Sequence, residues 1–131
     1  MKKEVIAIPG VQTPGATFNH VMKAGGLLFL TGQLSADLKT GQILTGDITA
    51  QTKRALENIR VMLAFCGATM DDIVKAVLYL RDVNDRHKVN EVYREYFTKG
   101  QEPAKVTVQA ASPVEGVDIE FEVTAIAPSR I

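Results

Sequence analysis

Residues 117–126 read VDIEFEVTAI and alternate between apolar and polar side chains. This period of two is typical of a β-strand that buries one face and exposes the other. Five apolar side chains share the face predicted to be buried: Val117, Ile119, Phe121, Val123 and Ala125. The opposite face carries Asp118, Glu120, Glu122 and Thr124. The fold must therefore place an apolar layer against one side of this strand.

A second alternating stretch precedes it, from Lys105 to Ala110. If the two strands form an antiparallel hairpin, Lys105 and Thr107 lie on the same sheet face as Glu120 and Glu122, within cross-strand reach. A cation beside carboxylates could hold an anionic substrate and orient a water molecule. The alternative is a surface ion pair worth under about 1 kcal/mol, and the pattern by itself favours that alternative.

Four further stretches have the pattern of β-strands: 3–8, 18–24, 27–33 and 73–81. Gly25-Gly26 separates two of them, which indicates a hairpin with a two-residue turn. The polar residues 11–17 predict a loop. In the stretch 73–81, four apolar residues are expected to share one face: Val74, Ala76, Leu78 and Leu80. Its other face would be mixed, with Val77 and Tyr79 beside charged side chains.

Two stretches change to helical spacing. The first begins after Asp47, a plausible N-cap, and stops at Gly67. Its apolar stripe consists of Ala55, Leu56, Ile59, Met62, Leu63 and Cys66. The second begins at Asn84 or Asp85 and ends before Gly100. Its stripe consists of Val89, Val92, Tyr93, Tyr96 and Phe97.

These elements predict an α+β fold, with residues 1–131 forming one domain. A sheet of about six strands would carry both helices on one face. The second face would remain part polar and part apolar, because Val77 and Tyr79 share it with Lys75 and Arg81. Such a surface suits subunit association better than exposure to water, so we expect a homo-oligomer.

Composition limits the possible partners. Fifteen acidic and fifteen basic residues cancel, whereas proteins that bind nucleic acid usually carry a basic surplus. The sequence therefore disfavours a nucleic-acid partner. It contains neither a signal peptide nor an apolar run of about 20 residues, which predicts a cytoplasmic protein with no membrane partner. The single Cys66 is expected to be a small core residue.

No pattern for a metal or a cofactor is present. His20 and His87 are isolated from other ligand-type residues, so we interpret both as ordinary surface or structural histidines. Gly25-Gly26 lacks the following helix that phosphate-binding glycine motifs require. The sequence therefore predicts neither a metal site nor a bound cofactor.

Several separated motifs nevertheless resemble one family. Pro103-Ala104-Lys105 and a strand are followed, at the expected distance, by Ile119-Glu120-Phe121-Glu122. Thr31-Gly32-Gln33 is similar to the Ser/Thr-Gly-Gln that ends an early strand in that family. The segments 82–85 and 89–97 resemble its second-helix region. Together, over nearly the full length, these motifs identify the chain as similar to the Rid (reactive intermediate deaminase, YjgF) family.

The resemblance implies a chorismate-mutase-like fold and a homotrimer with three clefts between subunits. It implies hydrolysis of reactive imines and enamines, such as 2-aminoacrylate, to keto acids and ammonia, without a cofactor. Lys105 stands where the family has an Arg that grips the substrate carboxylate, and a lysine cannot reproduce that two-pronged contact. Glu120 matches the residue that positions the attacking water.

The resemblance also implies four residues that line the cleft. Gly32 matches a backbone contact to the substrate, and Asn90 matches a cleft asparagine. Phe18 stands where many members have a Tyr, so a hydroxyl is lost, and Thr107 replaces a frequent Cys. These changes leave the fold inference intact and weaken the inference of activity.

Two other functions remain open from the sequence. The first is a trimeric module that binds small carboxylates or keto acids without turnover, which the changes at Lys105 and Phe18 motivate. The second is RNA cleavage, an old label within the family. The zero net charge argues against the second function, and so does the absence of a catalytic nucleophile with a neighbouring general base in the sequence.

Overall fold

The computed structural model describes residues 1–11 and 17–128. Within these ranges the chain forms six strands and two α-helices: β1 (Lys3–Ile6), β2 (Val21–Ala24), β3 (Leu27–Leu30), α1 (Ile48–Phe65), β4 (Ile73–Leu80), α2 (Arg86–Arg94), β5 (Ala104–Gln109) and β6 (Ile119–Ile126). One sheet contains all six strands in the order β1-β2-β3-β6-β4-β5. The predicted α+β fold with a mixed six-stranded sheet is confirmed. Most of the loop predicted at 11–17 lies outside the described residues.

Strands β2 and β3 form the predicted hairpin. Gly25 and Gly26 have φ angles of +58° and +79°, which is the conformation that a two-residue turn of this kind requires and that glycine adopts without steric cost. The strands pair antiparallel, with Val21 opposite Leu30. The strand predicted at 18–24 begins only at Val21, so Phe18 precedes the ladder.

Helix α1 has the predicted ends. The Asp47 side chain accepts a hydrogen bond of 2.8 Å from the Ala50 amide. At the other end, the Gly67 amide donates to the Ala64 carbonyl and the Ala68 amide donates to the Leu63 carbonyl, the pattern of a Schellman motif. Cys66, at the C-cap, is buried in the core, as predicted. Burial raises the pKa of its thiol.

Helix α2 begins directly after Asp85, as predicted, although that side chain makes no capping hydrogen bond. Asp82 instead accepts a 2.9 Å hydrogen bond from the Asn84 amide in the 3₁₀ turn before the helix. The helix ends at Arg94, earlier than its apolar stripe predicts. Phe97 is still buried, because a tighter turn follows the helix and carries it back to the core.

Both helices contact each other and cover the same face of the sheet. All five apolar residues predicted on the inner face of 117–126 are buried there. Burial of each large aliphatic or aromatic side chain in this layer contributes about 1.5–3 kcal/mol. The predicted face of β4 is wrong at one end: Val74 is 41% exposed, whereas Ile73 is 3% exposed. A β-bulge between Ile73 and Lys75 inserts Val74 as an extra residue and reverses the alternation.

Strands β5 and β6 do not form the antiparallel hairpin that was considered from the sequence. Strand β4 lies between them and pairs with β5 in parallel and with β6 in antiparallel orientation. Helix α2 connects β4 to β5, so these three elements form a βαβ unit. Within the ladder, Lys105 pairs with Ala76, and Glu120 pairs with Tyr79.

The connection from β5 to β6 is fixed by a buried glutamine on α1. The Gln51 side chain donates to the Gly46 and Gly116 carbonyls and to Asp118 Oδ2, and it accepts a 2.9 Å hydrogen bond from the Asp118 amide. Because the side chain is buried and its polar atoms are paired, it fixes the position at which β6 begins. Glu120 follows two residues later.

The face of the sheet away from the helices, here called the open face, is largely apolar. Ladder partners place five exposed large side chains on it: Val5, Phe29, Val106, Val108 and Ile126. Glu120 and Glu122 lie among them on β6. Among the described residues, no helix is both long and apolar enough to cross a membrane.

Candidate functional site

Lys105 lies on the helix side of the sheet, where it contacts α2. Its Nζ donates a 2.6 Å hydrogen bond to Asn90 Oδ1. The same atom lies 4.6 Å from the centroid of the Tyr93 ring, within cation–π range. A pocket of about 220 Å³ surrounds them and is lined by Asn90, Tyr93, Arg94, Glu102, Pro103 and Lys105. We call it the Lys105 pocket.

The Lys105 pocket disfavours the charged form of its own lysine. Partial burial lowers the pKa of Lys105, and the positive charges of Arg94 and Arg86 lower it further. Lys105 and Arg94 line one small cavity together with the Glu102 carboxylate, and Arg86 is near enough for its charge to act on Lys105. The arrangement is suited to a small anion, because a carboxylate entering the pocket would offset the mutual repulsion of the cations.

Tyr93 is the floor of the Lys105 pocket. Its ring stacks nearly parallel on Phe121, at 6.2 Å between centroids, and packs against Phe97 at 4.7 Å. Its hydroxyl is buried and has no hydrogen-bond partner within the described residues. This burial, together with the Glu102 charge, raises the pKa of Tyr93. The ring is therefore held by core packing and not by its polar end.

Replacing Tyr93 with Phe should raise the free energy of unfolding by about 1 kcal/mol, because a buried hydroxyl without a partner costs about that much. Urea denaturation measures the change. Tyr96→Phe is the matched control: the Tyr96 hydroxyl lies 3.3 Å from Glu57 Oε2, so its removal should lose up to about 1 kcal/mol. A Tyr93→Phe variant less stable than the wild type would contradict the described environment.

Glu120 lies on the open face, against Gly32. A Cβ atom at Gly32 would lie 2.7 Å from Glu120 Oε2, so any larger residue there would displace the carboxyl group from this position. Burial raises the pKa of Glu120, and the negative charge of Glu122 raises it further. Glu122 is engaged separately, since its Oε1 accepts a 3.0 Å hydrogen bond from the Tyr79 hydroxyl. Glu120 is therefore the carboxyl group here whose proton affinity is raised.

Gly32 also borders a second pocket of about 280 Å³. Phe18 lies at its edge, half exposed, with its ring 5.9 Å from that of His20 in a T-shaped arrangement. Gln33, which also lines the pocket, is buried, and its backbone pairs with Phe121 of β6. Phe18 and Gly32 line this pocket, and Glu120 lies against Gly32; we call these three residues the Glu120 group.

The structure separates the predicted site residues into two groups within one chain. Lys105, Asn90 and Thr107 lie on the helix side of the edge strand β5, since Lys105 and Thr107 pair with the inward-facing Ala76 and Leu78 of β4. The Glu120 group lies with the open face. The expected sharing of one face by Lys105 and Glu120 is therefore wrong for a single chain, and the predicted ion pair between β5 and β6 does not form.

Sequence reasoning missed the aromatic floor and the two arginines. In the sequence, Tyr93 reads only as part of a buried stripe, although Tyr93 and Arg94 follow Asn90 by three and four residues, which places each of them beside Asn90 on a helix. That spacing was the available signal. Across residues 1–11 and 17–128, no cluster of three His, Cys, Asp or Glu side chains could hold a metal ion.

Comparison with known proteins agrees with the fold of the structure and with the family that the sequence motifs resemble. The model of the family named endoribonuclease L-PSP matches residues 11–127. A RutC family protein of Pyrococcus abyssi is 42% identical over 125 residues, covering 95% of this chain and 98% of that protein. The human 2-iminobutanoate/2-iminopropanoate deaminase is 32% identical over 121 residues, covering 91% of this chain and 88% of that protein.

A solved structure agrees. YyfA of Yersinia pestis, described as a protein of unknown function of the conserved Rid family, superposes with a TM-score of 0.88 at 30% identity, covering 96% of this chain and 100% of that chain. The family-model match spans nearly the whole domain, and the curated relatives are matched over most of their length. The chain therefore belongs to the Rid family, whose sequence model carries the name endoribonuclease L-PSP.

Proposed function

We propose that the protein hydrolyses small reactive 2-imino acids and their enamine forms to 2-oxo acids and ammonia, in clefts between the subunits of a homotrimer. The observation that carries the proposal is the Glu120 carboxyl group, which has a raised pKa and lies against Gly32. Such a group can accept a proton from water near neutral pH. The name of the human relative, an imine deaminase, supports the same reaction class.

The Lys105 pocket is proposed to bind the carboxylate of the substrate. An imino acid carries a carboxylate, and the cluster of Lys105, Arg94 and Arg86 attracts one. Asn90 orients the lysine by its 2.6 Å hydrogen bond. In the reaction, water adds to the C=N carbon while Glu120 accepts a proton from it. Glu120 delivers that proton to the nitrogen, and the resulting carbinolamine expels ammonia as its hydroxyl proton is transferred to the amino group, which leaves the 2-oxo acid.

The homotrimer completes the site, because Lys105 and Glu120 lie on opposite faces of one sheet. A second chain that covers the open face would bring its Lys105 pocket towards the Glu120 group of the first. The apolar open face favours such an association, since large exposed apolar patches usually mark protein interfaces. Each cleft would then contain residues of two chains.

Glu120→Gln should lower kcat/KM by about 10²–10⁴-fold, because the amide keeps the shape of the side chain and cannot accept the proton. The imino acid is generated in the cuvette by an amino-acid oxidase, and the release of 2-oxo acid above the buffer rate is measured. Glu122→Gln is the control on the same strand and face, and it should keep most of the activity. A wild type that matches buffer, or a Glu120→Gln variant that matches the wild type, refutes the proposal.

The pH profile gives an independent check. The base must be ionised to act, and the raised pKa of Glu120 moves its ionisation to a higher pH than that of an ordinary glutamate. The rate should therefore rise with pH through this shifted range, and the same rising limb should be absent in Glu120→Gln. A rising limb that persists in the variant would assign the titration to another group.

A trimer that binds 2-oxo acids without turnover is the second candidate. The observation that favours it is Lys105 itself, since a single ammonium orients a carboxylate less firmly than a guanidinium. Pyruvate would then raise the melting temperature of the wild type, but not of Lys105→Ala, while no ammonia is released. RNA cleavage is distinguished by purification: a nuclease activity that survives to homogeneity and is lost in Glu120→Gln would support it.

A further inference from the structure

Lys105 has the surroundings of a nucleophilic amine. Its Nζ opens into the Lys105 pocket, where the side chains of Asn90, Tyr93 and Arg94 come from α2 and that of Glu102 from the segment before β5. Lysines that are partly desolvated or placed beside other cations are the ones that react with carbonyl groups. An arginine at this position could not do so, because its guanidinium stays protonated.

We propose that Lys105 forms a Schiff base with the carbonyl carbon of small 2-oxo acids that enter the Lys105 pocket. The inference depends on the proposed function only for the class of ligand, which is the product of that reaction. The pocket has a volume of about 220 Å³. At about 30 Å³ for each water-sized group, this volume accommodates a 2-oxo acid of three or four carbon atoms.

The hydrogen bond to Asn90 leaves the reactive lone pair of the amine available. In the neutral amine, one N–H donates to Asn90 Oδ1, at 2.6 Å, and the lone pair can point elsewhere. The Tyr93 ring attracts the cationic form. Burial and the charges of Arg94 and Arg86 act in the opposite direction and lower the pKa of Lys105. Arg94, which shares the pocket, is placed to hold the carboxylate while the amine attacks the adjacent carbon.

The covalent step balances without an external oxidant or reductant. The Nζ lone pair attacks the carbonyl carbon, a proton moves from nitrogen to oxygen, and the carbinolamine loses water to form the C=N bond. With a 2-imino acid the same attack expels ammonia in place of water. Hydrolysis of the Schiff base then returns the amine and releases the 2-oxo acid, so this route would deaminate the substrate through the lysine.

Reductive trapping tests the proposal. The purified protein is incubated with pyruvate and sodium cyanoborohydride at neutral pH, and the modified residue is located by peptide mass spectrometry. We expect one carboxyethyl group per chain, on Lys105, and loss of this label in Lys105→Arg. Lys88→Arg is the matched control, because Lys88 is an exposed lysine on α2, and it should keep the label.

Three results would overturn the proposal: no label on Lys105, equal labelling of Lys88 and Lys105, or an equal yield with acetone, which lacks the carboxylate. The outcome is separable from that of the proposed function. The label is read by mass spectrometry and needs no turnover, so a wild-type protein that releases ammonia without any label on Lys105 would overturn the Schiff base and leave the deaminase standing. Label on Lys105 without any ammonia release would support the Schiff base and refute the deaminase.

Discussion

Mixed assemblies of Lys105→Ala and Glu120→Ala chains should regain deaminase activity that neither variant has alone. Each single variant lacks one of the two groups in every site. In a mixed assembly, the intact Glu120 of one chain can meet the intact Lys105 of another. With equal amounts and random mixing in a closed ring, about a quarter of the clefts would contain both groups.

The reason for this expectation is the pairing order of the sheet. Lys105 pairs with Ala76, and Glu120 pairs with Tyr79, which is on the opposite face of the same strand β4. Co-expression with two affinity tags isolates the mixed assemblies, and 2-oxo acid release measures their activity. A chain that carries both substitutions, mixed with either single variant, is the control and should stay inactive. Absence of recovery in the mixed assemblies would exclude a cleft shared between chains.

Val106→Glu should dissociate the assembly into monomers and abolish activity. Val106 lies on the open face, where it pairs with Val77, and a carboxylate buried there without a partner costs several kcal/mol in each interface. Sedimentation velocity measures the loss of the oligomer, and imine hydrolysis measures the loss of activity. Urea denaturation at low protein concentration should show that the monomer remains folded.

Val61→Glu is the matched control for this prediction. Val61 is 40% exposed and Val106 is 43% exposed in the single chain, so the two changes alter the monomer surface to a similar extent. Val61 lies on α1, outside the open face. Its variant should keep both the assembly and the activity. Dissociation by both variants would mean that overall charge, and not the open face, controls association.

Local patterns predicted the elements that depend on local physics. The Gly25-Gly26 turn, the α1 cap at Asp47 and the buried face of β6 all follow from residues close in sequence. The glycine turn needs two residues that adopt positive φ angles, the helix cap needs a side chain that accepts from an unpaired amide, and the buried face needs an alternation with period two. Each of these depends on only a few neighbouring residues. The same holds for Cys66, whose place in a helical stripe predicted its burial.

The order of the strands in the sheet could not be predicted from local patterns. The connection between Gln109 and Ile119 is short enough for a hairpin, yet β6 pairs with β4, whose apolar residues gain more from a central position. This choice is made by packing between distant segments. The β-bulge at Val74 was hidden for a related reason, since an extra residue in one strand becomes apparent only against the register of its partner.

The candidate site was predicted as a set of residues and not as a geometry. Lys105 and Asn90 meet through a 2.6 Å hydrogen bond, and Gly32 lies against Glu120, although the sequence predicted neither contact. The expected partnership of Lys105 with Glu120 depended on the hairpin and is absent in one chain. The helical spacing groups Tyr93 with Asn90, but the contact of Tyr93 with Lys105 required knowledge that α2 packs beside β5.

The placement of Lys105 and Glu120 on opposite sides of one sheet also has a consequence for enzyme assays. Under the proposed cleft between chains, catalysis would obey mass action, because an isolated copy would carry both groups and no complete site. Specific activity should then be constant at high protein concentration and decline on dilution below the dissociation constant of the assembly. Reactions followed at nanomolar enzyme would underestimate turnover, and a carrier protein would not restore it.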